Sequence, residues 1–296
     1  MNLKLLEELS NAFGPSGYED DVRSIIVREL ERLDIKYRQD RLGNIIAESK
    51  TKDSNLSIIL DAHMDEVGLL ITHIDKNGFL RFEILGGIDV RILLSQRVKI
   101  RVRDGYVRGI IGSKPPHLLD PDERTKMPKY RDLFIDVGAS SRNEALNMGI
   151  SEGCLCVFDA PFTRQGSRIL GKAFDDRIGC FVLLNILEEN MDTPINITGI
   201  FSTQEEVGLR GARALSYIID ADYALVLECT AAADTPGIPE HDYSTRLGGG
   251  PALTIADKAS ISHPKLLRWI IKIATEENIP FQFKERAVGG TNAAMY

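Results

Sequence analysis

Hydrophobic residues recur along the first part of the chain with two different spacings. Residues 2–12 and 18–33 place apolar side chains three and four positions apart, and the turn residues GPSG separate the two stretches. This spacing predicts two amphipathic helices. The apolar runs NIIAE (44–48) and LSIILDAH (56–63) follow. Both are predicted to be strands, and the second is apolar enough to be buried on both faces.

From residue 67 the pattern changes to short β-rich segments with turn residues between them. The steps KNG and RDG lie between segments of strand-like sequence, as they do in β-hairpins. No helical pattern interrupts this region before about residue 142. We therefore predict that residues 67–165 form a separate all-β module, either a small barrel or a sandwich.

Helical and strand patterns alternate again after residue 165. Helices are predicted over 176–190, 209–219 and 264–277, and strands over 197–203, 223–228 and 252–257. Strands that alternate with helices favour a mostly parallel sheet with helices on both faces. The predicted fold class is therefore α/β. Residues 1–66 and 166–296 form one discontinuous catalytic domain, and the barrel-like all-β domain is inserted between its two parts.

Amino-acid composition limits the possible cellular compartments and binding partners of the protein. The 296 residues are 43% hydrophobic, enough for a sizeable core, and the formal net charge is −7. This acidic balance, without a long Lys/Arg block, argues against nucleic-acid binding. We expect no signal peptide and no membrane span, because no apolar run approaches the roughly 18 residues that a span needs. Four scattered cysteines favour a reducing cytoplasm.

Acidic and imidazole side chains follow the ends of three predicted strands. The first of these strands leads into His63 and Asp65, the second into Glu205 and Glu206, and the third into Glu228. In an open α/β sheet, ligands bind at the carboxyl ends of the strands. The five side chains are therefore expected at one edge of the sheet.

Two further carboxylates, Asp175 and Asp176, stand at the start of a predicted helix, where one would suffice as a cap. So many carboxylates would repel one another without a cation. A mixed set of histidine and carboxylates favours zinc, cobalt or manganese, and the number of carboxylates favours two ions that activate water and polarise a carbonyl. Taken singly, each residue also has an ordinary structural explanation, such as a core histidine or a helix cap.

Five ordered motifs resemble a known family: DAHMDEVG, KAFDDRIG, STQEEVGLRGA, AADTPGIPEH and GGTNA. The family comprises cytosolic dinuclear metallo-aminopeptidases, among them glutamyl aminopeptidase and the tetrahedral aminopeptidases, and some members are labelled endoglucanases. The resemblance extends from about residue 5 to the end of the chain. It implies hydrolysis of short peptides from their N-termini, an inserted β domain, and a homo-oligomer, either a dimer or a dodecamer built from dimers.

The resemblance also implies roles for individual residues. Four would bind the two ions, with Asp175 bridging them: His63, Asp175, Glu206 and Glu228. Glu205 would be the general base, and Asp65 would orient the imidazole of His63.

The sequence departs from the family pattern in three places. Glu228 and Asn292 stand where the family commonly has aspartate, and the sequence reaches Tyr296 before the segment that supplies the family's final histidine ligand. On this basis the chain is expected to be shortened at its C-terminus, with reduced metal occupancy. Two alternatives stay open: a deacylase that uses the same site on N-acyl substrates, and a catalytically impaired structural subunit that lacks the final histidine ligand.

Overall fold

The computed structural model describes residues 2–49, 54–124, 126–189 and 193–296. The chain forms two units, which we call the barrel unit and the sheet unit. The barrel unit comprises Met1–Asp34, Met64–Arg177 and Glu206–Gly208, and the sheet unit comprises Ile35–His63, Ile178–Glu205 and Leu209–Tyr296. The domain boundaries inferred from the sequence stay a prediction.

The described residues contain both helices and strands. The α-helices are α1 (Leu3–Asn11), α2 (Asp20–Arg32), α3 (Pro121–Arg124), α4 (Arg142–Asn147), α5 (Phe174–Glu189), α6 (Arg210–Leu215) and α7 (Pro264–Glu276). The strands are β1 (Tyr37–Gln39), β2 (Ile45–Ser49), β3 (Ser57–His63), β4 (Gly68–Ile74), β5 (Leu80–Leu85), β6 (Arg97–Val102), β7 (Gly105–Gly112), β8 (Phe134–Asp136), β9 (Leu155–Phe158), β10 (Thr163–Gln165), β11 (Arg168–Leu170), β12 (Asn196–Ser202), β13 (Tyr223–Val226), β14 (Ala252–Thr254) and β15 (Gln282–Lys284).

The barrel unit contains a closed antiparallel barrel with the strand order β4-β5-β8-β7-β6-β9. Alternation of side chains explains its core: in β5, Leu80 and Phe82 are buried, whereas Arg81 and Glu83 are exposed. The predicted barrel-like all-β region is confirmed.

The first two helices also belong to the barrel unit. Asn2 caps α1, because its side-chain oxygen accepts a hydrogen bond from the Leu5 amide. In α2, Val22, Ile26 and Leu30 are buried at intervals of four residues, which is the spacing of one helix face. Both helices were predicted from this periodicity.

The sheet unit is built on a mixed five-stranded sheet with the order β1-β2-β12-β3-β13. The strands β12 and β13 pair in parallel with β3, and β1 and β2 extend the sheet in antiparallel pairing. Ile46, Ile59 and Ile200 from three of these strands pack with Leu215 of α6 in a buried cluster. The α/β fold class is confirmed, with the predicted parallel strands at β3, β12 and β13.

Several elements differ from the sequence prediction. The helix predicted over 209–219 ends at Leu215, and the hydroxyl of the following Ser216 donates to the carbonyl of Arg213, which suits the end of a helix. The strand predicted over 252–257 is limited to β14, which pairs in parallel with β15 in a separate two-stranded sheet. Within the described ranges, no helix is long and apolar enough to cross a membrane.

Candidate metal centre

Three parallel strands of the sheet unit end within two residues of one another. Ser202 of β12 lies opposite His63 of β3, and Val226 of β13 lies opposite Asp61. Each strand therefore reaches its carboxyl end beside its neighbour, at the edge where open α/β sheets bind ligands. Residues that directly follow these strands therefore lie close together at this edge of the sheet.

The imidazole of His63 faces two carboxylates at this edge. Its Nε2 atom lies 3.2 Å from Oε1 of Glu228 and 4.0 Å from Oε2 of Glu205. The imidazole is buried, and both carboxylates are largely buried. His63 and Glu228 are both able to provide metal ligands. An imidazole nitrogen with carboxylate oxygens suits zinc, cobalt and manganese, so the donor set fits the predicted ions.

A tight turn after β12 positions Glu205. Gln204 and Leu209 adopt left-handed backbone conformations, with φ of 55° and 56°. The Leu209 amide donates to the Glu205 carbonyl at 2.8 Å, and the Gly211 amide donates to the Thr203 carbonyl at 3.0 Å. Only glycine fits at position 211, because a Cβ atom there would lie 2.4 Å from the Thr203 carbonyl oxygen.

Buried Asn44 holds the same turn from the side. Its Oδ1 accepts hydrogen bonds from the amide and the hydroxyl of Thr203, at 2.8 and 3.1 Å. Its Nδ2 donates to Asp40 at 2.6 Å and to the Gly211 carbonyl at 3.3 Å. Both ends of the turn that carries Glu205 are thus fixed by one amide side chain. The role of Asn44 in supporting this turn is not predictable from the sequence pattern.

Asp61 lies fully buried two residues before His63 and was also not predicted from the sequence. Its carboxylate accepts hydrogen bonds from Ser202 at 2.8 Å, from Asn292 at 3.0 Å and from the hydroxyl of Tyr296. Burial raises the pKa of the Asp61 carboxyl, although the three donors act in the opposite direction. A carboxylate inside an apolar strand was the available signal, because such a group needs buried partners.

In the barrel unit, Asp65 is buried against the main chain of Glu206. Its Oδ2 accepts a hydrogen bond from the Glu206 amide at 3.1 Å and one from the hydroxyl of Ser16 at 2.6 Å. Ser16 belongs to the GPSG turn, whose composition indicates only a connection between two helices. The structure therefore joins two predicted site residues, Asp65 and Glu206, through one hydrogen bond.

A buried ionic network lies next to Asp65 in the chain. Oε1 of Glu66 lies 2.6 Å from Nζ of Lys172 and 3.3 Å from Nη2 of Arg177. Lys172 also donates to the carbonyl of Ala12 at 2.7 Å. Burial lowers the pKa of Lys172 to about 8, and the charge of Glu66 opposes this shift. The network was not predicted.

The segment between Lys172 and Arg177 contains the adjacent aspartates. The peptide bond between Asp175 and Asp176 is cis, and neither residue has helical dihedral angles, so regular helical turns of α5 begin after them. Asp176 is buried, whereas Asp175 is exposed and able to provide a metal ligand. Asp175 and Glu206 line the same cavity of the barrel unit.

The structure thus assembles the predicted site residues in two groups. His63, Glu205 and Glu228 meet in the sheet unit, and the remaining three, Asp65, Asp175 and Glu206, belong to the barrel unit. Peptide bonds link the groups, because Glu205 and Glu206 are consecutive and Met64 alone separates His63 from Asp65.

Comparisons with known proteins agree on one family. The family model described as M42 glutamyl aminopeptidase matches residues 43–296. A lysyl aminopeptidase of Pyrococcus furiosus is 32% identical over 286 residues, which cover 94% of this chain and 80% of the relative.

Solved structures give the same result. The crystal structure of a TET aminopeptidase from a Thaumarchaeota archaeon of marine sediment has a TM-score of 0.95 and 41% identity, over 99% of this chain and 83% of that chain. The TET1 peptidase of Pyrococcus horikoshii, described as assembling into a tetrahedron or a large octahedral shell, has a TM-score of 0.85 and 32% identity, over 99% and 87%. With a family model that matches most of its length, the chain belongs to the M42 glutamyl aminopeptidase family and is a hydrolase that acts on peptide bonds.

Proposed function

We propose that this protein removes N-terminal residues from short peptides with the help of two divalent metal ions. The observation that carries the proposal is the buried contact of the His63 imidazole with Glu228, 3.2 Å away, beside Glu205. An imidazole and two carboxylates at the carboxyl end of a parallel sheet form a site suited to a cation and a proton acceptor.

Four residues would hold the ions: His63 and Glu228 one, Glu206 the other, and Asp175 both. The ions would be zinc, cobalt or manganese, which accept imidazole and carboxylate ligands. When bound, they supply Lewis-acid polarisation of the scissile carbonyl and a water of lowered pKa. Asp65 would orient the imidazole of His63, a role common for carboxylates next to ligating histidines.

Glu205 would act as the general base. Its carboxylate would take a proton from the attacking water and then deliver it to the nitrogen of the leaving peptide. The turn that carries it supports this role, because Asn44 and Gly211 hold the backbone on both sides of Glu205. A fixed backbone keeps the Glu205 carboxylate oriented for proton transfer, whereas a mobile backbone would reduce the rate.

We also propose that the protein works as a homo-oligomer in the cytoplasm. The relative from Pyrococcus horikoshii forms large closed assemblies, and 32% identity over nearly the whole chain makes a related assembly the simplest expectation. Four cysteines of the described residues form no disulfide, which is consistent with a reducing compartment: Cys154, Cys156, Cys180 and Cys229.

The substitution Glu205→Gln tests the assignment of the base. We expect turnover of short peptides to fall by roughly 100-fold or more, while zinc binding measured by calorimetry is unchanged. Glu276→Gln is the matched control, because Glu276 is an exposed carboxylate of the same unit, in helix α7. Retained turnover in the Glu205→Gln variant would remove Glu205 from the mechanism.

A further inference from the structure

The barrel unit contains a cavity of about 460 Å³ that borders two of the proposed metal ligands. This volume is sufficient for an aromatic or branched side chain. Part of its wall is formed by apolar side chains: Val67, Ile92, Phe158, Ala160 and Phe174. Polar side chains line the rest of the wall: Glu66, Gln96, Lys172, Asp175 and Glu206.

Among the described side chains that line the cavity, none is a cation available to pair with an acidic ligand. Among the described residues that line it, Lys172 is the one cation. Its Nζ is buried and is already engaged by Glu66 at 2.6 Å and by the Ala12 carbonyl at 2.7 Å. A carboxylate placed in the cavity would therefore lose water without gaining an ion pair with a lining side chain, which is unfavourable.

The turn that carries Ile92 forms the outer part of the wall. It spans Val90–Ile92, and Asp89 caps it by accepting a hydrogen bond from the Arg91 amide at 2.9 Å. The guanidinium of Arg91 is itself paired with Asp89, its Nε lying 2.8 Å from Oδ2. The Arg91 guanidinium is therefore already paired with a carboxylate, and the side chain that Ile92 adds to the wall is apolar.

We propose that this cavity receives an uncharged, apolar side chain of the peptide substrate, next to the scissile bond, and rejects acidic side chains. The inference rests on the proposed function, because Asp175 and Glu206 place the cavity beside the reacting bond only if they hold the ions. Ile92 is then a residue that determines specificity. The family description names glutamyl peptides and one relative is named for lysyl peptides, so the inference separates this chain from both descriptions.

Two series of tripeptides test the proposal. One series varies the N-terminal residue and the other varies the second residue, each among leucine, glutamine and glutamate. Glutamine and glutamate have the same shape, so their comparison isolates the charge. We expect kcat/KM for leucine to exceed that for glutamate by at least about tenfold in one series, which identifies the side chain that the cavity receives. Binding of the same peptides to the Glu205→Gln variant should show the same order.

The substitution Ile92→Lys tests whether the substrate side chain binds in the cavity that Ile92 lines. A lysine there would offer the missing cation and is expected to reduce the preference for glutamine over glutamate by about threefold or more. Ile110→Lys is the matched control: Ile110 is 51% exposed and Ile92 is 53% exposed, and Ile110 lies in β7 outside the cavity. The Ile110→Lys variant should prefer glutamine over glutamate to the same extent as the unmodified protein.

Different results would contradict the proposed peptidase function and the proposed preference of the cavity for apolar side chains. Equal kcat/KM for leucine and glutamate in both series, with active enzyme, would overturn the inference and leave the proposed function intact. An equal effect of the lysine at positions 92 and 110 would also overturn it. Absence of hydrolysis for every peptide after metal addition would overturn the proposed function and the inference together.

Discussion

Replacing Arg177 by methionine is expected to destabilise the protein strongly. The Arg177 side chain is 0% exposed. Its Nε donates to the Met64 carbonyl at 2.7 Å, its Nη1 donates to the Leu9 carbonyl at 2.6 Å, and its Nη2 lies 3.3 Å from both the Gly14 carbonyl and Glu66. One guanidinium therefore ties together three segments of the barrel unit that are distant in sequence.

The size of the destabilisation depends on the buried groups that lose a hydrogen-bond donor when Arg177 is replaced. Methionine fills most of the volume, so the cavity term is small, but the buried carbonyls lose their donors at about 1–3 kcal/mol each. These costs are not additive, because the structure relaxes. Removing one partner of a buried ion pair costs about 3–5 kcal/mol, and Glu66 keeps Lys172 as a partner at 2.6 Å. We therefore expect a loss of about 3–5 kcal/mol in the free energy of unfolding.

Urea unfolding followed by circular dichroism measures this loss. The matched control is Arg28→Met, because the Arg28 side chain is 53% exposed and pairs with Glu8 at 2.7 Å and Glu29 at 2.8 Å. The pair with Glu8 is at the surface, where ion pairs contribute about 1 kcal/mol or less, and the mostly buried Glu29 keeps Arg32 as a partner at 2.8 Å. The control should therefore change little. A loss for Arg177→Met that is no larger than the loss for Arg28→Met would show that the buried guanidinium does not stabilise the barrel unit.

Two further predictions concern stability. The pKa of Lys172 is about 8 in the folded protein, below its ordinary 10.5, so the unfolded chain binds more protons between these values. The unfolding free energy of the unmodified protein, relative to Lys172→Met, should therefore rise with pH from about 8 to 10.5, and a constant difference would contradict this. Gly211→Ala should cost about 1–3 kcal/mol in thermal unfolding, because the new Cβ would lie 2.4 Å from Oδ1 of Asn44. Gly87→Ala, whose Cβ would meet nothing within 4 Å, should be neutral, and equal losses would contradict the packing argument.

Features that depend on local pattern were predictable from the sequence. The buried spacing of Val22, Ile26 and Leu30 is visible in the letters, and so is the alternation in β5. The juxtaposition of His63 with Glu228 was predictable as well, since strands that alternate with helices pair in parallel and end at one edge.

Features that depend on distant contacts were not predictable. Glu66 is separated from Lys172 by 106 residues and from Arg177 by 111, and no periodic pattern connects them. The turn serine Ser16 gave no sign of its hydrogen bond to Asp65, because turn composition explains it equally well. The roles of these residues depend on tertiary packing, which a single sequence does not encode in any local pattern.

In the proposed reaction, metal ions and Glu205 together hydrolyse the N-terminal peptide bond. The most direct test follows the release of free amino acids from short peptides by the unmodified protein and by Glu205→Gln, after chelation and after return of zinc, cobalt or manganese. We expect chelation to abolish release, metal to restore it only in the unmodified protein, and both proteins to bind two ions. Release that continues in the chelator, or that returns equally in Glu205→Gln, would contradict the proposed reaction.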